Sequence, residues 1–149
     1  MAYQITPRLT DFIVGVEGER LVAYLDTNGT LTIGVGHTGP DVTKGLRITP
    51  ERSRQLLQAD LSTAVTCVNR YVRVPLTEAQ WIALVSFTFN EGIRRFQTST
   101  LLRLLNAGDY AAVPAQLVRW NKETVKGVLR INDGLTNRRA AEIKLWNSK

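Results

Sequence analysis

The sequence predicts an α+β fold: a small N-terminal lobe built on a β-hairpin, a larger all-helical C-terminal lobe, and a cleft between them. Three observations predict it. Residues 22–36 carry apolar residues at strand period, broken by Asn28-Gly29, the strongest short hairpin signal. From about residue 49 onward apolar residues instead recur at helical spacing. The helical part is punctuated by Ser/Thr cap signals and not by linkers, which suits one 149-residue domain with lobes at about 1–48 and 49–149.

The elements follow in order. Thr6-Pro7 starts a helix, because Thr can cap it and the missing proline N–H does no harm in the first turn. Leu9, Phe12, Ile13 and Val16 share one face, and Gly18 offers the left-handed stop after Glu17. Val22 and Tyr24, then Leu31, Ile33 and Val35, give the two hairpin strands, with glycines at 29, 34, 36 and 39 marking tight turns or close backbone approach. Thr49-Pro50-Glu51 opens a long helix whose apolar face runs through Leu56, Leu57, Leu61, Ala64, Val65 and Val68. Thr77 with Gln80 forms a capping box before Trp81–Phe89, the most apolar segment and the expected core helix. Ser99 starts a short helix through Leu105. Another runs from Ala112 to Trp120, with Pro114 admissible only in its first turn. Residues 121–135, which hold Gly127, Asn132, Asp133 and Gly134, read as an irregular loop, and Thr136–Trp146 as a last amphipathic helix.

Composition narrows the function classes. With 44% hydrophobic and 21% charged residues, the chain is neither collagen-like, disordered nor coiled coil. No apolar stretch approaches the roughly 20 residues that cross a bilayer, so no membrane insertion is expected, and the opening residues show no secretory signal. One cysteine, Cys67, and one histidine, His37, exclude a disulfide framework and a cysteine-rich metal site; no metal and no cofactor are expected. Residues 1–93 carry 8 basic and 9 acidic groups, whereas residues 94–149 carry 11 and 4. A basic half beside a neutral one points to a polyanionic partner, nucleic acid, membrane surface or bacterial wall, or serves solubility alone. Helix-turn-helix, zinc and ribonucleoprotein signatures are absent, so nucleic acid is not the expected partner.

The chemistry concentrates near the hairpin, where Glu17, Asp26, Thr32 and His37 fall within twenty-one residues. Two carboxylates flanking a site are the minimum equipment of a glycosidase, one holding a proton and the other ionised. Glu17 ends its helix, where the negative end of the dipole disfavours a further negative charge and suits a carboxyl that must keep its proton. Asp26 enters a polar turn that favours the charged form, and Thr32 on the returning strand offers a hydroxyl to a water. The alternative is a pair of solvated surface acids.

At these residues the sequence resembles the phage lysozymes of glycoside hydrolase family 24, the T-even type. The pattern runs Glu17-Gly18, Tyr24-Leu25-Asp26, Gly29 and Thr32-Ile33-Gly34-Val35-Gly36-His37-Thr38-Gly39. It continues through Pro75-Leu76-Thr77, Ser86–Asn90, Gly92, Phe96, Ser99–Leu102, Leu105–Asp109, Arg119–Lys122, and Gly134-Leu135 leading to Arg138-Arg139 and Glu142, covering about residues 6–147. The resemblance implies a lysozyme-like fold and an endolysin: a muramidase cutting the β-1,4 bond between N-acetylmuramic acid and N-acetylglucosamine in peptidoglycan and so lysing the host. Glu17 would be the general acid, Asp26 would stabilise charge or orient the water, and Thr32 would place it. It further implies a structural His37–Asp60 ion pair that raises the histidine pKa, and an Arg138 reaching towards the acid.

Tyr24, Asn90, Ser99, Thr100 and Arg138 are candidate substrate contacts, since amides and hydroxyls match acetamido and hydroxyl groups; Ser99 reads equally well as a helix cap. Trp81, Trp120 and Trp146 at helical spacing among aliphatics read as core before sugar platforms. Residues 123–133 stand where many relatives carry a shorter Gly-rich loop. The resemblance also implies a monomer made in the host cytoplasm, without signal-anchor, that reaches the periplasmic wall through a holin. A lytic transglycosylase, a non-catalytic basic wall-glycan binder, and the same muramidase used by a bacterium are the competing readings. Carboxylate separation, roughly 6.5–9.5 Å against 5–5.5 Å, would separate inversion from retention, and sequence leaves it open.

Overall fold

The computed structural model describes residues 3–148, so Met1, Ala2 and Lys149, including the start of the opening inspected for a signal, lie outside the described residues. Two compact units divide the chain. Gln4–Thr63 is one; residues 64–148 with Tyr3 make the other, so the long second helix contributes to both.

In the first unit α1 spans Pro7–Glu17, with the Thr6 hydroxyl accepting from Leu9 N and proline in the first turn, and with Leu9 and Ile13 fully buried. Gly18 N donates to Val14 O at 2.8 Å and closes the helix directly after Glu17. Strands β1 (Arg20–Leu25) and β2 (Leu31–Gly34) pair antiparallel, with Tyr24 opposite Thr32 and Leu25 opposite Leu31. Residues 46–48 run along the other edge of β1, through Ala23 N to Leu46 O and Ile48 N to Leu21 O, both 2.9 Å. The unit's sheet side is packed by Ile33, Val42 and Leu56 with Ala23, Leu31, Leu46 and Ile48. Helix α2 (Pro50–Tyr71) starts here, the Thr49 hydroxyl accepting from Arg52 N at 3.1 Å.

The second unit is centred on α3 (Glu78–Glu91). Its capping box is complete: Gln80 N donates to the Thr77 hydroxyl at 3.1 Å, and Thr77 N donates to Gln80 Oε1 at 2.9 Å. Every residue from Trp81 to Thr88 is buried, so α3 is apolar on all sides because neighbours cover all sides. Around it stand α4 (Ile93–Gln97), α5 (Thr100–Asn106), α6 (Ala112–Val118) and α7 (Asp133–Trp146). Phe96, Leu101, Leu105, Val113, Leu117 and Trp146 complete the core. Trp120 is half-buried with its ring edge-on to Phe87 at 5.3 Å. Tyr3 joins this unit through its hydroxyl, which donates to Leu76 O at 2.8 Å, and its ring lies 5.6 Å from Trp81.

One expectation is corrected. The C-terminal part is not all-helical, and residues 121–135 are not an irregular loop. Strands β3 (Lys122–Val125) and β4 (Val128–Ile131) form a second hairpin, and α7 begins at Asp133, three residues before Thr136. The turn residues are Lys126 (φ 51°) and Gly127 (φ 78°), a pair of positive-φ positions whose twist matches a two-residue hairpin. Asn132, read as loop punctuation, is the cap of α7: its Oδ1 accepts from Leu135 N at 2.8 Å.

Candidate active site

Glu17, Tyr24, Asp26, Thr32, His37 and Asp60 all belong to the unit Gln4–Thr63. Glu17 is the last residue of α1 and is exposed, so the capped helix end, and not burial, fixes where its carboxyl emerges. Asp26 follows β1 directly. Its Oδ1 accepts from Asn28 N at 2.8 Å and Thr30 N at 2.9 Å, the local pattern by which an aspartate holds a turn. Thr32 is buried on β2, and its hydroxyl donates to Thr30 O at 2.9 Å. One peptide, that of Thr30, therefore ties Asp26 and Thr32 together. The Thr32 proton is engaged, so towards a water this hydroxyl offers lone pairs. Tyr24, across from Thr32, carries the Arg20 guanidinium 4.5 Å from its ring centre.

A tight loop lies against Glu17. Ile33 and His37 exchange two backbone hydrogen bonds of 2.9 Å, closing a three-residue loop over residues 34–36. Gly36 has φ 74°, and a Cβ added there would sit 3.6 Å from Glu17 Oε2, so main chain lies beside the carboxyl where only glycine is unstrained.

His37 Nδ1 lies 2.7 Å from Asp60 Oδ2, and Nε2 lies 2.9 Å from Asp41 Oδ2. Burial opposes charge on the ring, but the hydrogen bonds and charges of Asp60 and Asp41 outweigh it and hold the His37 pKa above its ordinary 6.5. The same contact with His37 holds the Asp41 carboxyl below its ordinary range. Sequence reasoning pairs His37 with Asp60 and misses Asp41, although an acid four residues after a lone histidine in a glycine-rich loop was a usable signal.

The other candidates belong to the second unit. Arg138 is buried on α7; its Nη2 donates to Ser86 O at 3.1 Å and Ser86 Oγ at 3.2 Å, and its Nε stands 3.4 Å from Glu142 Oε2. Arg139 is equally buried, donating to Asn90 Oδ1 at 2.7 Å and to Glu142 Oε2 at 3.2 Å. The Asn90 carbonyl oxygen is thus committed to a structural cation. Burial pushes the Glu142 carboxyl up, against the pull of Arg139, the Ser86 hydroxyl and Arg138. Ser99 is buried and works as a cap, accepting from Leu102 N at 3.1 Å and donating to Phe96 O at 2.7 Å. Thr100 is exposed and lines an open pocket of about 270 Å³ with Trp120, read from sequence as core before sugar platform, and with Gln116 and Arg119, which the sequence had not marked for binding.

Chemically, the first unit presents one carboxyl at a helix end, a second in a hydrogen-bonded turn, and a lone-pair donor beside it, a set suited to acid-assisted cleavage of a glycosidic bond with water. Among the described residues no cluster of three or more His, Cys, Asp or Glu is placed to hold a metal ion, and no helix is long and apolar enough to cross a membrane.

Comparison with known proteins agrees in one direction. The phage lysozyme family model matches residues 14–142. The SAR-endolysin of Escherichia phage Mu is 42% identical over 135 residues, covering 91% of this chain and 76% of the relative. Among solved structures, the endolysin from Escherichia coli O157:H7 phage FAHEc1 is 38% identical with a TM-score of 0.94, covering 98% of this chain and 94% of that one. The muramidase domain of SpmX from Asticaccaulis excentricus is 35% identical with a TM-score of 0.90, covering 99% of both chains.

Proposed function

The chain belongs to the phage lysozyme family and is a glycoside hydrolase of the lysozyme class, and on that premise we propose that it is a muramidase cleaving the β-1,4 bond from N-acetylmuramic acid to N-acetylglucosamine in peptidoglycan. Glu17 donates its proton to the glycosidic oxygen as the bond breaks. Asp26, ionised, stabilises the positive charge developing at the anomeric carbon or orients the attacking water. Thr32 receives a hydrogen bond from that water, since its own proton goes to Thr30 O. Tyr24, Asn90, Thr100 and Arg138 are all weak assignments to substrate contact, and Ser99 serves as the cap of α5. Residues 1–149 act as one catalytic domain and as a monomer; the protein is made in the host cytoplasm and reaches the wall through a holin.

The observation that carries this reading is local: an acid ending a capped helix, an aspartate in a turn and a threonine on the returning strand, the last two joined by the Thr30 peptide. The test is digestion of purified peptidoglycan by the wild type and by Glu17→Gln, with the new ends identified by mass spectrometry. Reducing N-acetylmuramic acid ends from the wild type, and at least about 10²-fold fewer from the variant, are expected for loss of a general acid. Anhydro-muramic ends would reassign the protein as a lytic transglycosylase. Binding without cleavage by a folded wild type would make it a wall-glycan binder.

A further inference from the structure

The loop beside Glu17 is gripped from two sides by a single residue. The main chain of His37 closes it, giving and receiving the 2.9 Å hydrogen bonds with Ile33. The side chain of His37 anchors it, with Nδ1 on Asp60 of α2 and Nε2 on Asp41 of the segment that follows. On the α2 side the loop is also packed tightly: a Cβ added at Gly34 would stand 3.1 Å from Ser53 Oγ, whose proton goes to Glu19 Oε2 at 2.7 Å. At Gly36 the neighbour is the Glu17 carboxyl itself.

The ring's protonation follows from these contacts. A neutral imidazole has one N–H and one lone pair, and an ionised carboxylate only accepts. Both ring nitrogens face carboxylate oxygens within 3 Å, so both hydrogen bonds exist together only when the ring is an imidazolium. Removing one proton sets a nitrogen lone pair against carboxylate lone pairs at one of the two contacts. That end of the bridge must then open. The charged groups around it are Asp60 and Arg52 on α2, Asp41 between the loop and α2, and Glu17 at the end of α1; Arg52 acts on Asp41.

We propose that His37, bridging Asp41 and Asp60 as an imidazolium, is a positioning residue that fixes the 34–36 loop against Glu17 and thereby sets where the acid sits. The inference rests on the reading of Glu17 as the general acid. It assigns Asp41, an exposed residue outside the catalytic trio, a measurable influence on turnover. When His37 loses its proton, one side-chain anchor of the loop opens while its two main-chain bonds to Ile33 remain, and Gly36 is held less firmly beside the Glu17 carboxyl.

The test compares wild type with Asp41→Asn. Histidine NMR first gives the His37 pKa in each; the variant, with one anionic partner gone, titrates lower. The ratio of variant to wild-type kcat on peptidoglycan is then followed with pH, so that pH effects common to both proteins cancel. The ratio is expected to be flat where both rings are charged. Between the two pKa values it falls about tenfold, since misplacing a reacting group by near 1 Å costs up to about 10²-fold, while KM stays the same. The backbone amides of Gly34 and Gly36 titrate in step with the ring, and Asp41→Glu restores the wild-type profile. A ratio that stays flat while NMR shows one ring charged and the other neutral overturns the proposal, as does a His37 pKa that Asp41→Asn leaves in place. Thermal melts at each pH keep unfolding out of the comparison. If Glu17→Gln cleaves as well as wild type, the functional reading has failed; if Glu17→Gln is inactive and the ratio is flat, only this inference has.

Discussion

Glu142 Oε1 stands 2.7 Å from Arg139 Nε, three residues apart on α7, and neither side chain reaches solvent. The pair makes this contact outside good hydrogen-bond geometry, because Glu142 is also drawn through Oε2 to the Ser86 hydroxyl at 2.5 Å and to Arg138 at 3.4 Å. Arg139 in turn spreads over Asn90, Glu91, the Trp120 carbonyl and the Phe87 ring. Glu142 is thus the carboxylate that the two buried guanidinium groups share, with Glu91 also on Arg139. Glu142→Gln is expected to cost about 3–5 kcal/mol of stability, the scale for leaving a buried charge without its partner. Urea denaturation of wild type and variant measures it, and a loss below about 1 kcal/mol would show that the other partners of the two guanidinium groups, Glu91 and Asn90 among them, hold them without Glu142.

Asp26 has two duties that substitution can separate. Its Oδ1 holds the turn by accepting from Asn28 N and Thr30 N, and its charge is the part assigned to the proposed reaction. Asparagine keeps the acceptor and drops the charge. Asp26→Asn should therefore melt within a few degrees of wild type while losing about 10²-fold or more in kcat; Asp26→Ala should lose the same activity and, in addition, about 1 kcal/mol for the turn bonds. Equal activity of Asp26→Asn and wild type would remove the charge from the mechanism.

Thr32 makes a finer prediction. Its hydroxyl proton is held by Thr30 O, so a water beside it must donate. Thr32→Ser keeps this arrangement and should retain most activity. Thr32→Val keeps the shape but presents a methyl to the water and should lower kcat about 10-fold or more, with the melting temperature lowered as well by the lost hydrogen bond. Comparing kcat of the two variants on peptidoglycan decides it: similar rates would mean the hydroxyl does not touch the water.

What was legible in the sequence was whatever is written within a few residues. The capping box at Thr77 and Gln80, the Ser99 cap and the Thr6-Pro7 start all form as the sequence predicts, because a cap joins a side chain to a backbone amide three residues on. The Asn28-Gly29 hairpin is of the same kind. The second hairpin was hidden: Lys126 at positive φ is not a turn signature, and Val128, Leu129 and Ile131 give no clean alternation because no core covers either face of that hairpin, all three being more than half exposed. The start of α7 was hidden behind Asn132-Asp133-Gly134, where loop-like residues serve as a cap and a first turn. At the candidate site the acids were readable from the family pattern. The position of Gly36 against Glu17 and the second carboxylate on His37 were not, since both depend on how the loop closes in space.

The His37 bridge predicts how stability varies with pH. The histidine pKa is raised on folding, so its contribution is complete below the unfolded value near 6.5 and is lost as pH rises through the folded value. Asp41 is lowered on folding, so its contribution is present above its unfolded value near 3.8 and is lost as pH falls through the folded value. Both operate together between roughly pH 4 and 6.5. The melting temperature of wild type minus that of His37→Gln should be greatest in this window and shrink towards pH 9. A difference independent of pH would mean that the ring contributes by packing alone.

Charge in the second half of the chain predicts the response to salt. Of the eleven basic residues in 94–149, Arg138 and Arg139 are buried around Glu142 and cannot attract a distant polyanion, and Lys149 lies outside the described residues. The remaining eight, from Arg94 to Lys144, are exposed, and only Asp109, Glu123 and Asp133 are exposed acids there. Peptidoglycan carries free carboxylates, so this surface should speed encounter at low ionic strength, an effect on the order of 10-fold or more for steered association. The Debye length shrinks from about 30 Å at 0.01 M to about 3 Å at 1 M, so kcat/KM on peptidoglycan should fall across that range while kcat holds. Glycan strands stripped of their peptides carry fewer carboxylates and should show a shallower slope. Replacing Lys122, Lys126 and Arg130 with glutamine removes three of the cations from the exposed hairpin and should flatten the slope on intact peptidoglycan further. Rates on intact wall that stay level with salt, in wild type and triple variant alike, would assign the basic excess to solubility and leave capture of the substrate to the carboxylate-lined unit.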